Sequence, residues 1–334
     1  MKATVYRLGK RVLVSLLCLA ATLLVCEIVL RVVDYRYNPF SVQVASETGD
    51  WRGFHAFCDA GSVYDPHLLW RPNPACPMFN AEGFVTPGPP LGKKKGGEYR
   101  IFVFGDSNSA GWWDDGLGRL RAAAWPARLG ELLAQRSEDF KVVNASMWGY
   151  SSYQGLARFR ECLAFEPDMV LISFGANDAH RVSVGDSDYT PWLFKTPLRR
   201  SRLGELLIAA WHRPAAGSDR TRPQHAVARV SVSQYRANLE RIIGLCRRHD
   251  IRCVLLTRPF IGESHDELWW KSFAPQYIAA TRQVGRELGV PVIDIHEQFK
   301  NRQELFRDDC HFTKEGHRLA AKIILDEIEP LLPH

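Results

Sequence analysis

Four short polar segments of this 334-residue chain carry side chains that could do chemistry together. In chain order they are Gly105-Asp106-Ser107-Asn108, "NASMWGYSS" with Gly149, Gly175-Ala176-Asn177-Asp178, and "RDDCHFTKEGH" with Asp308 and His311. A serine hydroxyl is a nucleophile once a neighbouring base takes its proton, and histidine is the usual base near neutral pH. The combination predicts acyl transfer from an ester.

This reaction needs a nucleophile, a base, a group that orients the base, and donors aimed at the developing oxyanion. We predict that Ser107 is the nucleophile, His311 the base and Asp308 the orienting carboxylate. The oxyanion would be bound by the backbone N–H groups of Ser107 and Gly149 and by the side-chain amide of Asn177.

Each segment taken alone also has an ordinary structural interpretation. Asp, Asn and Gly all favour turns, so the segment around Ser107 is compatible with a simple turn. Asp308 is equally compatible with a non-catalytic position just before a helix whose N-cap is Thr313. The joint order of the four segments, each next to a predicted strand or helix, favours the catalytic interpretation.

The elements around these segments follow an alternating pattern. Short β-branched or aromatic runs predict strands, and amphipathic runs between them predict helices. The strands are 100–105, 140–145, 168–174, 252–256 and 290–295, and the helices are 124–136, 153–165, 233–249, 273–288 and 313–328. This alternation indicates a parallel sheet with helices on both faces, whose ligand sites gather at the carboxyl ends of the strands.

At the four segments the chain resembles the SGNH, or GDSL-type, hydrolase superfamily. The matching residues are Gly105-Asp106-Ser107, Gly149, the Gly-x-Asn-Asp that begins at Gly175, and the Asp-x-x-His of Asp308 and His311. The resemblance implies an α/β fold, a three-layer α/β/α sandwich with a flavodoxin-like parallel five-stranded sheet, and the roles assigned above. It implies no metal and no cofactor. Ser146 stands where the family often has glycine.

The N-terminus predicts a membrane anchor. Residues 12–30 are almost entirely apolar, and Lys2, Arg7, Lys10 and Arg11 precede them without any acidic residue. This length suits a bilayer crossing, and the basic flank predicts a cytoplasmic N-terminus. A cleaved signal peptide is the alternative. Glu27 within the span indicates either solvation near the interface or a helix–helix contact.

The domain organisation follows from these features. We predict a basic cytoplasmic stub at 1–11, a transmembrane anchor at 12–33, an irregular extracytoplasmic extension and linker at 34–98, and the SGNH hydrolase domain at 99–334. The 186–230 stretch interrupts the alternation and contains one extra helical pattern, "RRSRLGELLIAAW". Long connections in compact domains are usually functional or disordered, so we predict a lid. The protein would be a single-pass inner-membrane protein with a periplasmic catalytic domain.

The net charge limits the expected binding partners, and the positions of the cysteines limit the expected disulfides. The net charge of +6 comes without a nucleic-acid-binding motif, so no nucleic-acid partner is expected. Of eight cysteines, Cys18 and Cys26 belong to the anchor, and Cys58 and Cys76 could form a disulfide in an exported domain. The other four lack metal-ligand spacing and are expected to be thiols or a second bridge; they are Cys162, Cys246, Cys253 and Cys310.

The substrate is less constrained, because the superfamily includes lipases, thioesterases, carbohydrate deacetylases and acyltransferases. Trp112 and Trp148 are candidates to stack on a sugar or line an acyl pocket, and Arg181 and Arg258 to hold an anionic group. Core packing and ion pairs are the competing interpretations of these residues.

The preferred function is removal of O-acetyl or similar acyl groups from cell-envelope or exported carbohydrate. An O-acyltransferase acting on polysaccharide and a non-catalytic carbohydrate-binding or assembly factor are the alternatives. The anchor and extension also resemble a bacterial membrane-anchored subgroup of the superfamily. That similarity supports the location more than the activity.

Overall fold

A computed structural model of the chain describes residues 2–35, 61–65, 67–85, 89–111, 124–182, 185–188, 201–211, 227–261 and 270–333. In chain order its elements are α1 (Lys2–Val32), β1 (Ser62–Asp65), β2 (Leu69–Pro72), β3 (Tyr99–Gly105), α2 (Ser107–Ala110), α3 (Trp125–Ala134), β4 (Phe140–Asn144), α4 (Ser152–Cys162), β5 (Met169–Ser173), α5 (Ala176–Ala179), β6 (Arg181–Val182), α6 (Arg202–Trp211), β7 (Val227–Ala228), α7 (Val232–Arg248), β8 (Arg252–Leu256), α8 (Trp270–Leu288), β9 (Val292–Ile293), α9 (Ile295–Phe299) and α10 (Lys314–Ile328).

The predicted parallel sheet is confirmed. Its five strands lie in the order β4-β3-β5-β8-β9, and every neighbouring pair is parallel. Counted along the chain within this sheet, the order is 2-1-3-4-5, which is the flavodoxin-like arrangement. Strands of such a sheet are buried on both faces, which explains their nearly continuous apolar sequences.

Two apolar clusters lie on opposite faces of the sheet and complete the three layers. Phe102 and Phe104 of β3 pack with α4, α7 and α8 on one face. Ile101 and Val103, which alternate with them, pack with α3 and α10 on the other. Successive side chains of a strand point to opposite faces, so β3 contributes to both layers of the core.

The strand register brings the predicted site segments to one edge. In the β3–β5 pair Gly105 lies opposite Ser173, so both strands end at the same level. On the other side of β3, the backbone N–H of Met147 donates to the carbonyl of Gly105 at 3.2 Å. The loops after β3, β4 and β5 therefore meet at the carboxyl edge of the sheet.

The extension contains structure that its sequence did not indicate. Strands β1 and β2 form an antiparallel hairpin, and Trp70 of β2 is fully buried in the main core. The Tyr150 hydroxyl donates to the Trp70 carbonyl at 2.9 Å. Further along, the Lys94 ammonium lies 2.6 Å from the Asp168 carboxylate, which joins the predicted linker to the domain. This part of the extension is therefore integral to the fold.

Helix α1 is long and apolar enough over Gly9–Val32 to cross a membrane, and a signal sequence would pass the same test. Just beyond it, Tyr35 packs against the main core. The extra helix predicted within the 186–230 insertion is present as α6. The ends of the insertion are joined by the antiparallel pair β6 and β7. Whether the insertion acts as a lid stays a prediction.

The cysteines of the domain are free thiols. Cys162, Cys246 and Cys253 are buried, and Cys310 is partly exposed. The second bridge considered for these four is therefore not formed. Cys76 is a free thiol as well, so the disulfide considered between Cys58 and Cys76 is not formed; Cys58 itself lies outside the described residues.

Candidate active site

Ser107 lies on a tight turn between β3 and α2. Asp106 caps the helix because its Oδ1 accepts the Asn108 backbone N–H at 2.9 Å. The turn requires Gly105, since a Cβ atom there would lie 2.4 Å from the Ser109 hydroxyl and 3.0 Å from the Ser173 carbonyl oxygen. The strand and cap thus place the Ser107 hydroxyl, which is partly exposed, at the carboxyl edge of the sheet.

His311 reaches Ser107 from 204 positions further along the chain. Its Nε2 lies 2.8 Å from Ser107 Oγ. Its Nδ1 lies 2.8 Å from Asp308 Oδ2, and its backbone N–H donates to Asp308 Oδ1, also at 2.8 Å. The structure therefore brings the three predicted triad residues into one hydrogen-bonded chain. Such a chain can move a proton off the serine and stabilise the resulting imidazolium.

Charge and burial act on this chain in opposite directions. Burial lowers the pKa of His311, but Cys310, whose sulfur lies 3.7 Å from Nδ1, and the hydrogen bond to Asp308 raise it, and the net effect is a pKa of about 10. Burial raises the pKa of Asp308, but the hydrogen bond and charge of His311 outweigh burial and hold that pKa well below 3.8. Asp308 is thus ionised at neutral pH and favours the imidazolium form of His311.

The loop after β4 presents Gly149 with a backbone φ of 72°. This is the left-handed region that glycine adopts without steric cost. The Gly149 carbonyl accepts a hydrogen bond from Arg229 Nη1 at 2.7 Å, so the peptide is held from the outside of the loop. Gly149 could be predicted from its motif, whereas Arg229 carries no local signal in the sequence.

Asn177 lies in α5, directly after β5. One of its amide N–H groups donates to the Tyr150 carbonyl in the β4 loop at 3.0 Å. A primary amide has two N–H donors, so the second remains for a ligand. This contact ties the β4 and β5 loops together at the sheet edge, next to the strand that carries Ser107.

Asp178, the next residue, is fully buried and has a structural function. Its carboxylate accepts the Ser152 backbone N–H at 3.0 Å, the Ser152 hydroxyl at 2.5 Å and the Gly175 backbone N–H at 3.1 Å. Burial raises its pKa to about 7, although the hydrogen bonds from Ser152 act in the opposite direction. Asp178 thereby anchors the Asn177 loop to the start of α4.

Two contacts that sequence reasoning missed join the Ser107 turn to the His311 loop. Arg258 Nε lies 2.8 Å from Asp106 Oδ2, and its Nη1 donates to the Cys310 carbonyl at 2.7 Å. Separately, Asn108 Oδ1 accepts the Phe312 backbone N–H at 3.0 Å. The residues on either side of Ser107 therefore hold the residues on either side of His311.

The model of the GDSL-like lipase/acylhydrolase family matches residues 103–319, which contain all four segments. The chain belongs to this family.

Sequence relatives match a shorter part of this GDSL-like acylhydrolase chain. An arylesterase of Vibrio mimicus is 37% identical over 83 residues, which are 25% of this chain and 39% of that protein. Esterase TesA of Pseudomonas aeruginosa is 43% identical over 82 residues, which are 24% of this chain and 38% of that protein. The matches thus span less than two-fifths of these curated relatives.

Among solved structures, a lipase/acylhydrolase from Enterococcus faecalis aligns with a TM-score of 0.49 and 24% identity. The alignment covers 70% of this chain and 97% of that chain.

Two of the four predicted substrate-binding residues of the GDSL-like chain lie in its interior. Trp148 is 2% exposed and packs on Phe79 with a ring-centroid distance of 5.3 Å. Its backbone carbonyl accepts the Trp70 indole N–H at 3.2 Å. Trp148 therefore does not present a stacking surface to a sugar, and the prediction is corrected to core packing under the hairpin.

Arg258 is likewise buried, and its guanidinium is paired with Asp106. Its predicted contact with an anionic substrate is therefore wrong. Its guanidinium instead joins Asp106 in the Ser107 turn to the Cys310 carbonyl in the His311 loop. Trp112 lies outside the described residues. Only the backbone of Arg181 is described, and it pairs with Ala228 in the β6–β7 ladder.

One group of metal-ligating side chains was found in the described part of the chain. Atoms of Asp308, Cys310 and His311 lie within 4.8 Å of one another. His311 Nδ1 is already engaged by Asp308 in this arrangement. That the reaction needs no metal stays a prediction, and measuring activity in the presence of a chelator tests it.

Proposed function

We propose that the protein is a serine ester hydrolase in which Ser107, His311 and Asp308 form a catalytic triad. The observation that carries the proposal is the 2.8 Å separation of Ser107 Oγ and His311 Nε2, with Asp308 on the other ring nitrogen. Membership of the GDSL-like lipase/acylhydrolase family supports ester chemistry.

The mechanism has two half-reactions. Neutral His311 takes the Ser107 proton as Oγ attacks the ester carbonyl, and the tetrahedral intermediate collapses when His311 protonates the leaving alcohol. Water then attacks the acyl-serine with His311 as base, and the carboxylic acid and free Ser107 are released. In both steps the oxyanion is bound by the N–H groups of Ser107 and Gly149 and by the Asn177 amide.

We assign the acyl group to a small cavity that lies next to Asn177 in the chain and whose lining contains neither Ser107 nor His311. Its volume is about 10 Å³, and its lining includes Gly175, Arg258 and the rings of Phe260 and Tyr277. This is space for about one water-sized or methyl-sized group. With the acyl group assigned to this cavity, an acetyl group fits and a long fatty acyl chain does not.

The acylated compound is proposed to be a cell-envelope or exported carbohydrate. The support is α1, which would place the domain on the periplasmic face of the inner membrane with the N-terminus in the cytoplasm. O-acetyl groups on polymers that pass this face are esters within reach of a tethered domain.

The proposal is tested with the full-length chain in nanodiscs and p-nitrophenyl esters of two, four and eight carbons. We expect the acetate ester to be hydrolysed fastest and the Ser107→Ala variant to be inactive. Equal activity of Ser107→Ala would refute the nucleophile. A preference for the eight-carbon ester would refute the short acyl pocket.

The second stage uses O-acetylated polysaccharide and measures free acetate and acetyl content of the polymer. Release of acetate with loss of polymer acetyl supports the hydrolase. Gain of acetyl by an acceptor polysaccharide would instead assign the protein as a transferase. Polysaccharide binding without turnover of any ester would favour a non-catalytic binding factor.

A further inference from the structure

A carboxylate inside the apolar helix α1 contacts the beginning of α6. Glu27 Oε1 accepts the Arg202 backbone N–H at 3.1 Å, and Oε2 accepts the Leu203 backbone N–H at 2.9 Å. The first N–H groups of a helix have no partner within it and carry partial positive charge. Glu27 therefore caps α6 from a position 175 residues earlier in the chain.

The same carboxylate is also paired along its own helix. Arg31 Nε lies 2.8 Å from Glu27 Oε1, one turn away. An unpaired acidic side chain in a membrane span is costly, and such residues typically face protein partners. The contacts with Arg31 and α6 explain how Glu27 is accommodated within an otherwise apolar run.

The position of Glu27 sets the depth of α6. Glu27 precedes the end of α1 at Val32 by five residues, or about 7.5 Å along a helix axis. Helices that lie in the membrane interface bury their apolar face roughly 5–10 Å below the surface. If the outer end of α1 marks the membrane boundary, the start of α6 lies at this depth.

The surface of α6 fits such a location. Leu206 is 36% exposed and Leu207 is 53% exposed, while Ala209 packs against the main core. The charged Arg202 and Glu205 pair with each other and are largely shielded from solvent. One side of α6 therefore packs on the domain, and the side that carries Leu206 and Leu207 is exposed.

We propose that α6 is an interfacial membrane helix, with Leu206 and Leu207 among the lipid acyl chains and its N-terminus fixed by Glu27. The inference rests on the proposed membrane span of α1. The insertion is then a second attachment of the protein to the bilayer, in addition to α1. It holds the hydrolase domain against the membrane instead of leaving the domain at the end of a flexible tether. It also requires a retained α1, because a cleaved signal sequence would remove the cap of α6.

The test places a fluorescent amino acid with a dansyl side chain at single positions of the full-length chain in nanodiscs. The nanodisc lipid is phosphatidylcholine brominated near the headgroup end of its acyl chains, which quenches nearby fluorophores. Position 207 is the test, position 24 in α1 is the positive control, and position 318 on α10 is the aqueous control, since Arg318 is 74% exposed. Hydrolysis of p-nitrophenyl acetate is measured in each sample.

We expect quenching at positions 24 and 207 and none at 318. Quenching at 24 without quenching at 207 would overturn the interfacial helix while the span stands. Absence of quenching at 24 would overturn the span itself. Neither result depends on whether the ester is hydrolysed, so failure of the esterase proposal is recognised separately.

The contribution of Glu27 is tested by adding Glu27→Ala to the position 207 and position 24 samples. Removing the cap is expected to lower the quenching at 207 by at least half and leave that at 24 unchanged. Unchanged quenching at both positions would contradict the assignment of Glu27 as the residue that fixes α6.

Discussion

Two buried arginine–aspartate pairs border the candidate site and are built alike. Arg258 Nε lies 2.8 Å from Asp106, and Arg229 binds Asp186 through Nε at 3.0 Å and Nη2 at 2.9 Å. Each guanidinium also donates to a backbone carbonyl at 2.7 Å, that of Cys310 for Arg258 and that of Gly149 for Arg229. The two pairs differ in which part of the site they hold.

We propose from this difference that the two roles assigned to the site, proton transfer and oxyanion binding, are supported separately. The Arg258 pair joins the Ser107 turn to the His311 loop and so holds the proton-transfer side. The Arg229 pair joins the base of the insertion to the Gly149 loop and so holds the oxyanion side. A buried ion pair adds little net stability over an apolar replacement, so we attribute both pairs to positioning.

Among changes outside the triad, the largest effect should come from Asn177→Ala, which removes a proposed oxyanion donor. We expect kcat to fall on the order of 10²–10³-fold with KM little changed, because the interaction forms mainly in the transition state. Steady-state kinetics with p-nitrophenyl acetate measure this. A large rise in KM with unchanged kcat would make Asn177 a substrate ligand and remove it from the oxyanion side.

Breaking the Arg258 pair should be nearly as damaging. In Arg258→Met the Asp106 carboxylate stays buried without its cation, which costs about 3–5 kcal/mol of unfolding free energy. Misplacement of His311 by about 1 Å would lower kcat roughly 10²-fold. Kinetics are measured well below the unfolding temperature of the variant.

The double variant Asp106→Asn with Arg258→Met is the control for stability, since it removes both charges. If it recovers stability and kcat together, Arg258 acts only through folding. Recovery of stability with kcat still low supports positioning of the triad.

Breaking the Arg229 pair should have a smaller effect on the reaction. Arg229→Met leaves the Gly149 carbonyl without its outer donor, and we expect kcat to fall about 10-fold because one of several oxyanion donors is loosened. The acidic limb of kcat/KM that is set by His311 should stay in place, whereas Arg258→Met should move it. Equal changes in both pH profiles would show that the two sides of the site are not separate.

The smallest effect concerns the pH profile alone. His311 must be neutral to act as a base, and its pKa is raised above 6.5, so activity should fall as pH decreases through a limb that lies above 6.5. Because Cys310 contributes to that rise, Cys310→Ala should move the limb to lower pH with little change in maximal kcat. A limb at or below 6.5 in the unmodified chain would contradict this electrostatic description.

The sequence predicted much of this fold because its parallel strands are short, apolar and separated by regular helices. Strand β8 has the predicted bounds, Arg252–Leu256. Strand β9 is shorter than the predicted 290–295, since as an edge strand it pairs only through Val292 and Ile293. The hairpin β1–β2 was not predicted, because its segment is rich in turn residues and lacks a periodic pattern.

At the site, the chemical types of Ser107, His311 and Asp308 could be recognised from local sequence. The partner of Arg258 could not, because Asp106 lies 152 positions away and only the folded sheet edge brings them together. Trp148 failed as a candidate for a similar reason. Its burial depends on the hairpin and Phe79, which local sequence did not place over it.

Whether Ser107 is an activated nucleophile is tested by covalent labelling of the full-length chain with a fluorophosphonate, followed by peptide mass spectrometry. The reagent phosphonylates a serine that is activated by a neighbouring base. We expect one adduct, on Ser107, that is absent in Ser107→Ala and forms much more slowly in His311→Ala. Labelling of a residue other than Ser107 would contradict this assignment. So would the absence of labelling in a folded chain that still hydrolyses p-nitrophenyl acetate.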